Sequence, residues 1–175
     1  WSSDVCSSVL NIFRKLKNNL AGSDRAQNPV IWMHVSSLGE FEQGRPVLEE
    51  IRRKWPEKKV VLTFFSPSGF EVRKHYEHAC QVTYLPADTP WNARKFLDIV
   101  DPGLIIFVKY DFWFNYLKEI QKRRIPLLYI SVILSSRHYF FRWYGRWALS
   151  RLSGVTRFFV QRSEEHTSEL QSPNT

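Results

Sequence analysis

The chain has 175 residues, of which 43% are hydrophobic, with a formal net charge of +8 and a pI near 9.7. That length and apolar fraction suit one ordinary domain with one closed core, and the positive balance suits an anionic partner: nucleic acid, an anionic membrane surface or a phosphorylated substrate. Cys6 and Cys80 have no metal-ligand spacing and make no disulfide framework, so a reducing compartment is expected; no run of 18 apolar residues and no cleavable leader marks a spanning helix or a signal peptide in the chain.

Trp1 stands where an initiator methionine is usual, so a fragment is expected, with room for a lost upstream anchor. Residues 9–20, VLNIFRKLKNNL, set Val9, Ile12, Phe13, Leu16 and Leu20 at helical spacing, with Arg14, Lys15 and Lys17 on the other side. This predicts an amphipathic helix, and with the loop AGSDRAQNP it forms an N-terminal unit over residues 1–28.

Short apolar runs then recur: VIWMHV (30–35), KVVLTFF (59–65), CQVTYL (80–85), GLIIFV (103–108), PLLYIS (126–131) and TRFFV (156–160). Helical patterns such as RPVLEEIRRKW, PWNARKFLDIV, FNYLKEIQKRR and FFRWYGRWALSRL lie between them. Continuous rather than alternating apolar strands imply burial on both faces, so residues 29–161 are expected to form an open, doubly wound α/β domain with a parallel sheet. From Arg162 the text turns abruptly polar, and RSEEHTSELQS looks like the translated read-through of a sequencing adapter. Residues 162–175 are therefore expected to be extraneous, and setting them aside deepens the basic character.

In a doubly wound sheet the chemistry lies beyond the carboxyl ends of the strands. The segments to weigh are thus Ser36 to Glu40, Ser66 to Gly69, Pro86 to Thr89, Lys109 to Asp111 and Ile133 to Arg137. Ser37-Leu38-Gly39-Glu40 is an S-x-x-E capping box, in which hydroxyl and carboxylate satisfy backbone donors at a helix start. The same residues support a second reading: Gly39 leaves the first turn bare to a substrate, and Glu40 can take a proton from a hydroxyl nucleophile. Ser66-Pro67-Ser68-Gly69 suits a hydroxyl-capped helix start, and equally a phosphate or sugar contact. Lys109 and Asp111 read as a surface ion pair or a helix cap by Asp111, or as site residues. RHYFFRWYGRWALSR (137–151), with arginines among aromatics, is either a helix with one apolar face or a surface for an anionic membrane or nucleic acid. His34, inside a strand, is expected to be a core histidine. No GxGxxG, P-loop, HExxH or paired-cysteine motif supports cofactor or metal chemistry.

The runs IWMHVSSLGEFEQGRPVLEEIRRKWP, VVLTFFSPSGFEVRK, YLPADTPWNARKFLDIVDPGLIIFVKYDFWFNYL and IPLLYISVILSSR resemble the 3-deoxy-D-manno-oct-2-ulosonic acid (Kdo) transferases of Gram-negative bacteria, in a Bacteroidetes-like version. The resemblance implies the N-terminal, acceptor-side Rossmann-like domain of a GT-B glycosyltransferase, with the C-terminal donor domain missing. It implies transfer of Kdo from CMP-Kdo to a lipid A precursor at the cytoplasmic face of the inner membrane, without cofactor or metal. By the same resemblance Glu40 is the general base, and Asp111 stands where the family has a second acidic residue, a glutamate; Ile133 occupies the place of an arginine. Ser37, Gly39, Ser66, Ser68, Gly69 and Lys109 are then expected to bind substrate, at a site facing an anionic membrane and not nucleic acid. The rival expectation, a basic nucleic-acid-binding α/β module, rests on pI and aromatic content alone.

Overall fold

Each of the six apolar runs becomes a strand: β1 (Val30–Val35), β2 (Val60–Phe64), β3 (Gln81–Tyr84), β4 (Pro102–Val108), β5 (Leu127–Val132) and β6 (Arg157–Val160). The computed structural model describes residues 3–22, 28–109, 112–132 and 155–160, with side chains from residue 9 onward. All neighbouring strands pair in parallel, in the order β3-β2-β1-β4-β5-β6. Every residue of β1 and β2 is buried, as strands covered on both faces require. Side-chain alternation divides them between two layers, with Val30 and Trp32 in one and Ile31, Met33 and Val35 in the other.

The helices are α1 (Ser3–Asn19), α2 (Leu38–Lys54), α3 (Pro67–Arg73), α4 (Pro90–Val100) and α5 (Phe114–Arg123). Phe13, Leu16 and Leu20 in and just after α1, Phe96 and Leu97 of α4, and Tyr116 and Ile120 of α5 pack on the Trp32 side of the sheet. Phe41, Leu48 and Ile51 of α2, with Phe70 of α3, pack on the Met33 side. The amphipathic helix predicted for residues 9–20 thus begins earlier and joins the core of the sheet, its Leu16 fully buried. Two helices end on left-handed non-glycine residues, α4 at Asp101 (φ 46°) and α5 at Arg124 (φ 56°), whose amides turn back to the last carbonyls.

The first layer centres on Trp32, whose ring meets Phe96, Phe107 and Tyr116 at centroid distances of 4.8, 5.2 and 5.8 Å. Its indole N–H donates to Thr63 Oγ1 at 2.8 Å, so the large apolar ring enters the core without an orphaned donor. The same Thr63 oxygen lies 2.8 Å from His34 Nδ1, which makes His34 the expected core histidine, with no exposed surface.

Helix α5 differs from the sequence expectation at its start. Its N-cap is Trp113, two residues beyond Asp111, and Trp113 has no side-chain acceptor to offer. The cap comes instead from the β3–α4 connection: the Asp88 carboxylate accepts from the amides of Asn115 (3.0 and 3.2 Å) and Tyr116 (3.3 Å). Asn115 Nδ2 returns a hydrogen bond to the Asp88 carbonyl at 2.8 Å, and the Tyr116 hydroxyl donates to the Pro86 carbonyl at 3.0 Å. Burial, reinforced by the Asp88 charge, raises the Tyr116 phenol above its ordinary value, so it remains a donor. Asp111, Ile133, the arginine-aromatic run 137–151 and the tail 162–175 lie outside the described residues.

Two outcomes test this architecture. Leu16→Ala should lower unfolding stability by about 2–5 kcal/mol, read as a fall in urea midpoint at unchanged slope, because α1 belongs to the core. Asp88→Ala should cost about 1–2 kcal/mol by uncapping α5, while Asp88→Asn, which keeps an acceptor, should cost less than half as much in the same urea titration.

Candidate functional site

Strand order reverses between β1 and β4. The chain leaves β1 into α2 on one face of the sheet and leaves β4 into α5 on the other, so the two connections part and open a crevice over the carboxyl ends. The sequence-predicted residues Ser37, Gly39, Glu40 and Lys109 all lie in these two connections.

Glu40 is the third residue of α2, whose N-cap is Ser37 in an extended conformation (φ −139°, ψ 168°). Ser37 Oγ accepts from the Glu40 amide at 3.3 Å, which is one half of the predicted capping box. The carboxylate accepts from the amide of Ser36 at 2.6 Å, one residue before the cap. A short charge-assisted bond therefore fixes the half-buried Glu40 carboxylate against the end of β1, rather than leaving it on the solvent side of the helix. Gly39 beside it is exposed, and a Cβ built there would meet nothing within 4 Å, so the first turn of a 17-residue helix is open to an anionic or hydroxylated group.

The β2–α3 connection lies alongside, stitched to β1 by the Ser66 amide donating to the Ser36 carbonyl at 2.8 Å. Ser66 is the N-cap of α3, but its hydroxyl does not cap the helix as expected; it sits 2.8 Å from Ser68 Oγ. Paired hydroxyls at a strand end offer a donor and an acceptor together. Gly69 is buried, and a Cβ there would fall 2.7 Å from the Phe64 ring and 3.0 Å from the Leu38 amide. Its missing side chain lets α3 approach the start of α2.

On the far side of the crevice, Lys109 follows β4 with φ 65°, and Ser131 on the neighbouring strand β5 has φ 57°. The Lys109 amide donates to the Ile130 carbonyl at 2.9 Å, so hydrogen bonding to the next strand holds this left-handed residue half-buried at the edge. Asp111 lies outside the described residues, and so does any contact it makes. Among the described residues, no three His, Cys, Asp or Glu side chains are grouped to hold a metal ion, and no helix is long and apolar enough to cross a membrane.

Sequence reasoning missed three residues near this edge. Phe65, the last letter of an apolar run, leaves 58% of its surface exposed and meets Trp113 edge-on at 5.2 Å. Trp113 in turn meets the buried His34 ring at 5.4 Å. Asp88 acts across 27 residues, a separation at which no local pattern signals it.

The sequence profile of the family described as 3-deoxy-D-manno-octulosonic-acid transferase (kdotransferase) matches residues 12–172. A 3-deoxy-D-manno-octulosonic acid transferase of Haemophilus influenzae is 29% identical over 108 residues, 61% of this chain and 25% of that protein. One from Aquifex aeolicus is 33% identical over 84 residues (47% and 23%), and one from Chlamydophila psittaci 27% over 144 residues (79% and 32%). The matched part of the chain thus spans 23 to 32% of the length of these relatives. A crystal structure of UDP-N-acetylglucosamine 2-epimerase shares the fold, with a TM-score of 0.55 at 10% identity over 76% of this chain and 42% of that one. With the profile covering nearly all of its length, the chain belongs to the 3-deoxy-D-manno-octulosonic-acid transferase family.

Proposed function

We propose that this chain is the acceptor-side half of a two-domain, GT-B inverting glycosyltransferase that moves Kdo from CMP-Kdo to a lipid A precursor. The observation that carries the proposal is the Glu40 carboxylate, held by the Ser36 amide at the carboxyl end of β1, at the point where the winding reverses. Glu40 takes the proton of an acceptor hydroxyl as its oxygen bonds to the anomeric carbon of Kdo; the bond from that carbon to the CMP phosphate breaks, and CMP leaves with the electron pair. No resident cofactor or metal takes part in this scheme.

Ser37, Ser66 and Ser68 offer hydroxyls to the acceptor's polar groups, and the open turn at Gly39 gives its phosphate access to the α2 amides. Gly69 serves the same contact indirectly, by bringing α3 up to Leu38. Lys109 supplies positive charge across the crevice, and Asp111 is assigned the second acidic role, with a side chain one methylene shorter than glutamate. The nucleic-acid alternative gains nothing from the described core, where Trp32, Phe41, Phe64, Phe96, Phe107, Tyr116 and Tyr129 are buried and offer no face to a base, and the matching family profile does not support it.

The acceptor's location suggests how the domain is held. Arg14 and Lys17 of α1 and Lys95 of α4, three cations against the single carboxylate of Asp98, line a cleft with Phe13 and Ile99; exposed Trp91 meets Phe13 edge-on, and exposed Leu10 lies on α1. Cations beside exposed apolar side chains suit the cytoplasmic face of an anionic inner membrane.

In the full-length protein containing this chain, Glu40→Gln should cut Kdo transfer by roughly 10² or more while stability stays within about 0.5 kcal/mol, because a glutamine oxygen still accepts from Ser36 but takes no proton. Retention of more than about a tenth of the rate, a barrier change under about 1.4 kcal/mol, would remove Glu40 from the catalytic role. For the membrane, Lys17→Glu with Lys95→Glu should weaken co-sedimentation with phosphatidylglycerol vesicles about tenfold or more at low salt and leave the small residual binding to phosphatidylcholine vesicles unchanged.

A further inference from the structure

The residue that the proposed mechanism leaves unused at this edge is Phe65. Alternation along β2 sends Val61 and Thr63 to the Trp32 face and Phe64 to the α2 face, and Phe65, just beyond the strand, meets Trp113 on the Trp32 side. Phe65 lies in the same β2–α3 connection that carries the paired Ser66 and Ser68 hydroxyls, and its ring meets Trp113, which begins α5 after β4. An exposed apolar side chain is ordinary on a solvent-facing helix, as with Val47 or Val72. Phe65 differs in being oriented. Its ring abuts Trp113, which is braced by His34 at 5.4 Å and Tyr116 at 6.3 Å, and α5 behind Trp113 is capped by Asp88. One aromatic ring is thus held in place with most of its surface bare, at the same strand edge that carries the paired hydroxyls and the Glu40 carboxylate.

A wall that is apolar on one side and polar on the other fits a ligand of the same kind. A pyranose has hydroxyls around its rim and a face of C–H groups, and aromatic rings with a few placed polar groups are the usual lining of a small-molecule site. We infer that the exposed face of Phe65 stacks on the sugar ring of the acceptor, making Phe65 a determinant of acceptor binding with no part in the chemical step. The inference rests on the acceptor-side reading above. A ring already fixed by Trp113 and His34 gives up little freedom on binding, so the contact enters acceptor affinity almost undiminished.

The test compares Phe65→Ala, Phe65→Leu and Phe65→Tyr in the full-length protein, measuring KM for acceptor and for CMP-Kdo, kcat and the thermal midpoint. Phe65→Ala should raise the acceptor KM roughly tenfold with donor KM and kcat within about twofold, a tenfold change being about 1.4 kcal/mol. Phe65→Tyr, which keeps the ring, should restore the acceptor KM, and Phe65→Leu, which keeps only bulk, should not. The rise should persist with a deacylated sugar acceptor. An unchanged acceptor KM in Phe65→Ala, an equal rise in donor KM, full rescue by leucine, or loss of the effect on deacylation would each overturn the inference. Should Phe65→Ala unfold, the leucine and tyrosine variants carry the same comparison. Glu40→Gln in the same assay separates the two claims: inactive Glu40→Gln with an indifferent Phe65→Ala sinks only the stacking, whereas active Glu40→Gln sinks the site itself.

Discussion

Because every strand runs in the same direction, all six carboxyl ends lie along one edge of the sheet, and the reversal of strand order between β1 and β4 sends the two central connections to opposite faces. The remaining features of the molecule follow from that constraint. Helices must cover both faces, so the central strands become apolar throughout; the gap at the reversal cannot be filled by either helix; and the polar residues of the chain's S-x-x-E and S-P-S-G segments collect beside it.

The edge gains its stiffness from the layer beneath. Thr63 is a buried hydroxyl between two rings, accepting from Trp32 and lying 2.8 Å from His34, so it ties β2 to β1 through side chains as well as through the ladder. His34 passes that order to Trp113, and Asp88 fixes the helix that Trp113 begins. On the opposite face, Arg73 reaches Glu42 at 2.6 Å and lies over the Phe41 ring at 5.1 Å, which ties the end of α3 to the first turns of α2. Both walls of the crevice are thereby supported by contacts made away from it, as a site that must hold its geometry needs.

The sheet was legible because burial on both faces leaves uninterrupted runs such as VIWMHV, and β1 and α4 fall on the residues that their patterns mark. The start of α2 was legible only from its S-x-x-E spacing, since Gly39, Gly44 and Pro46 dilute the helical signal before Val47. The candidate base, Glu40, could be found by the same spacing, but not the turn of its carboxylate toward Ser36, because both arrangements use the same four letters. A cap by Asp111 was one of the readings that the local pattern allowed for α5, because pattern offers the nearest acidic residue, whereas the fold brings Asp88 from another loop. The Phe65–Trp113 contact was illegible for a different cause, since an exposed phenylalanine closing an apolar run reads as one more core residue.

The left-handed backbone at Lys109 and Ser131 also bears on how this edge can change over evolutionary time. Glycine, asparagine and aspartate tolerate that conformation, whereas valine, isoleucine and threonine are outliers in it. Drift at these two positions is therefore filtered by shape before chemistry is tested. Exchange of lysine for glycine, asparagine or aspartate leaves the edge undisturbed, whereas the β-branched residues that otherwise suit a strand end strain it, so backbone shape narrows the choice at this rim apart from any ligand.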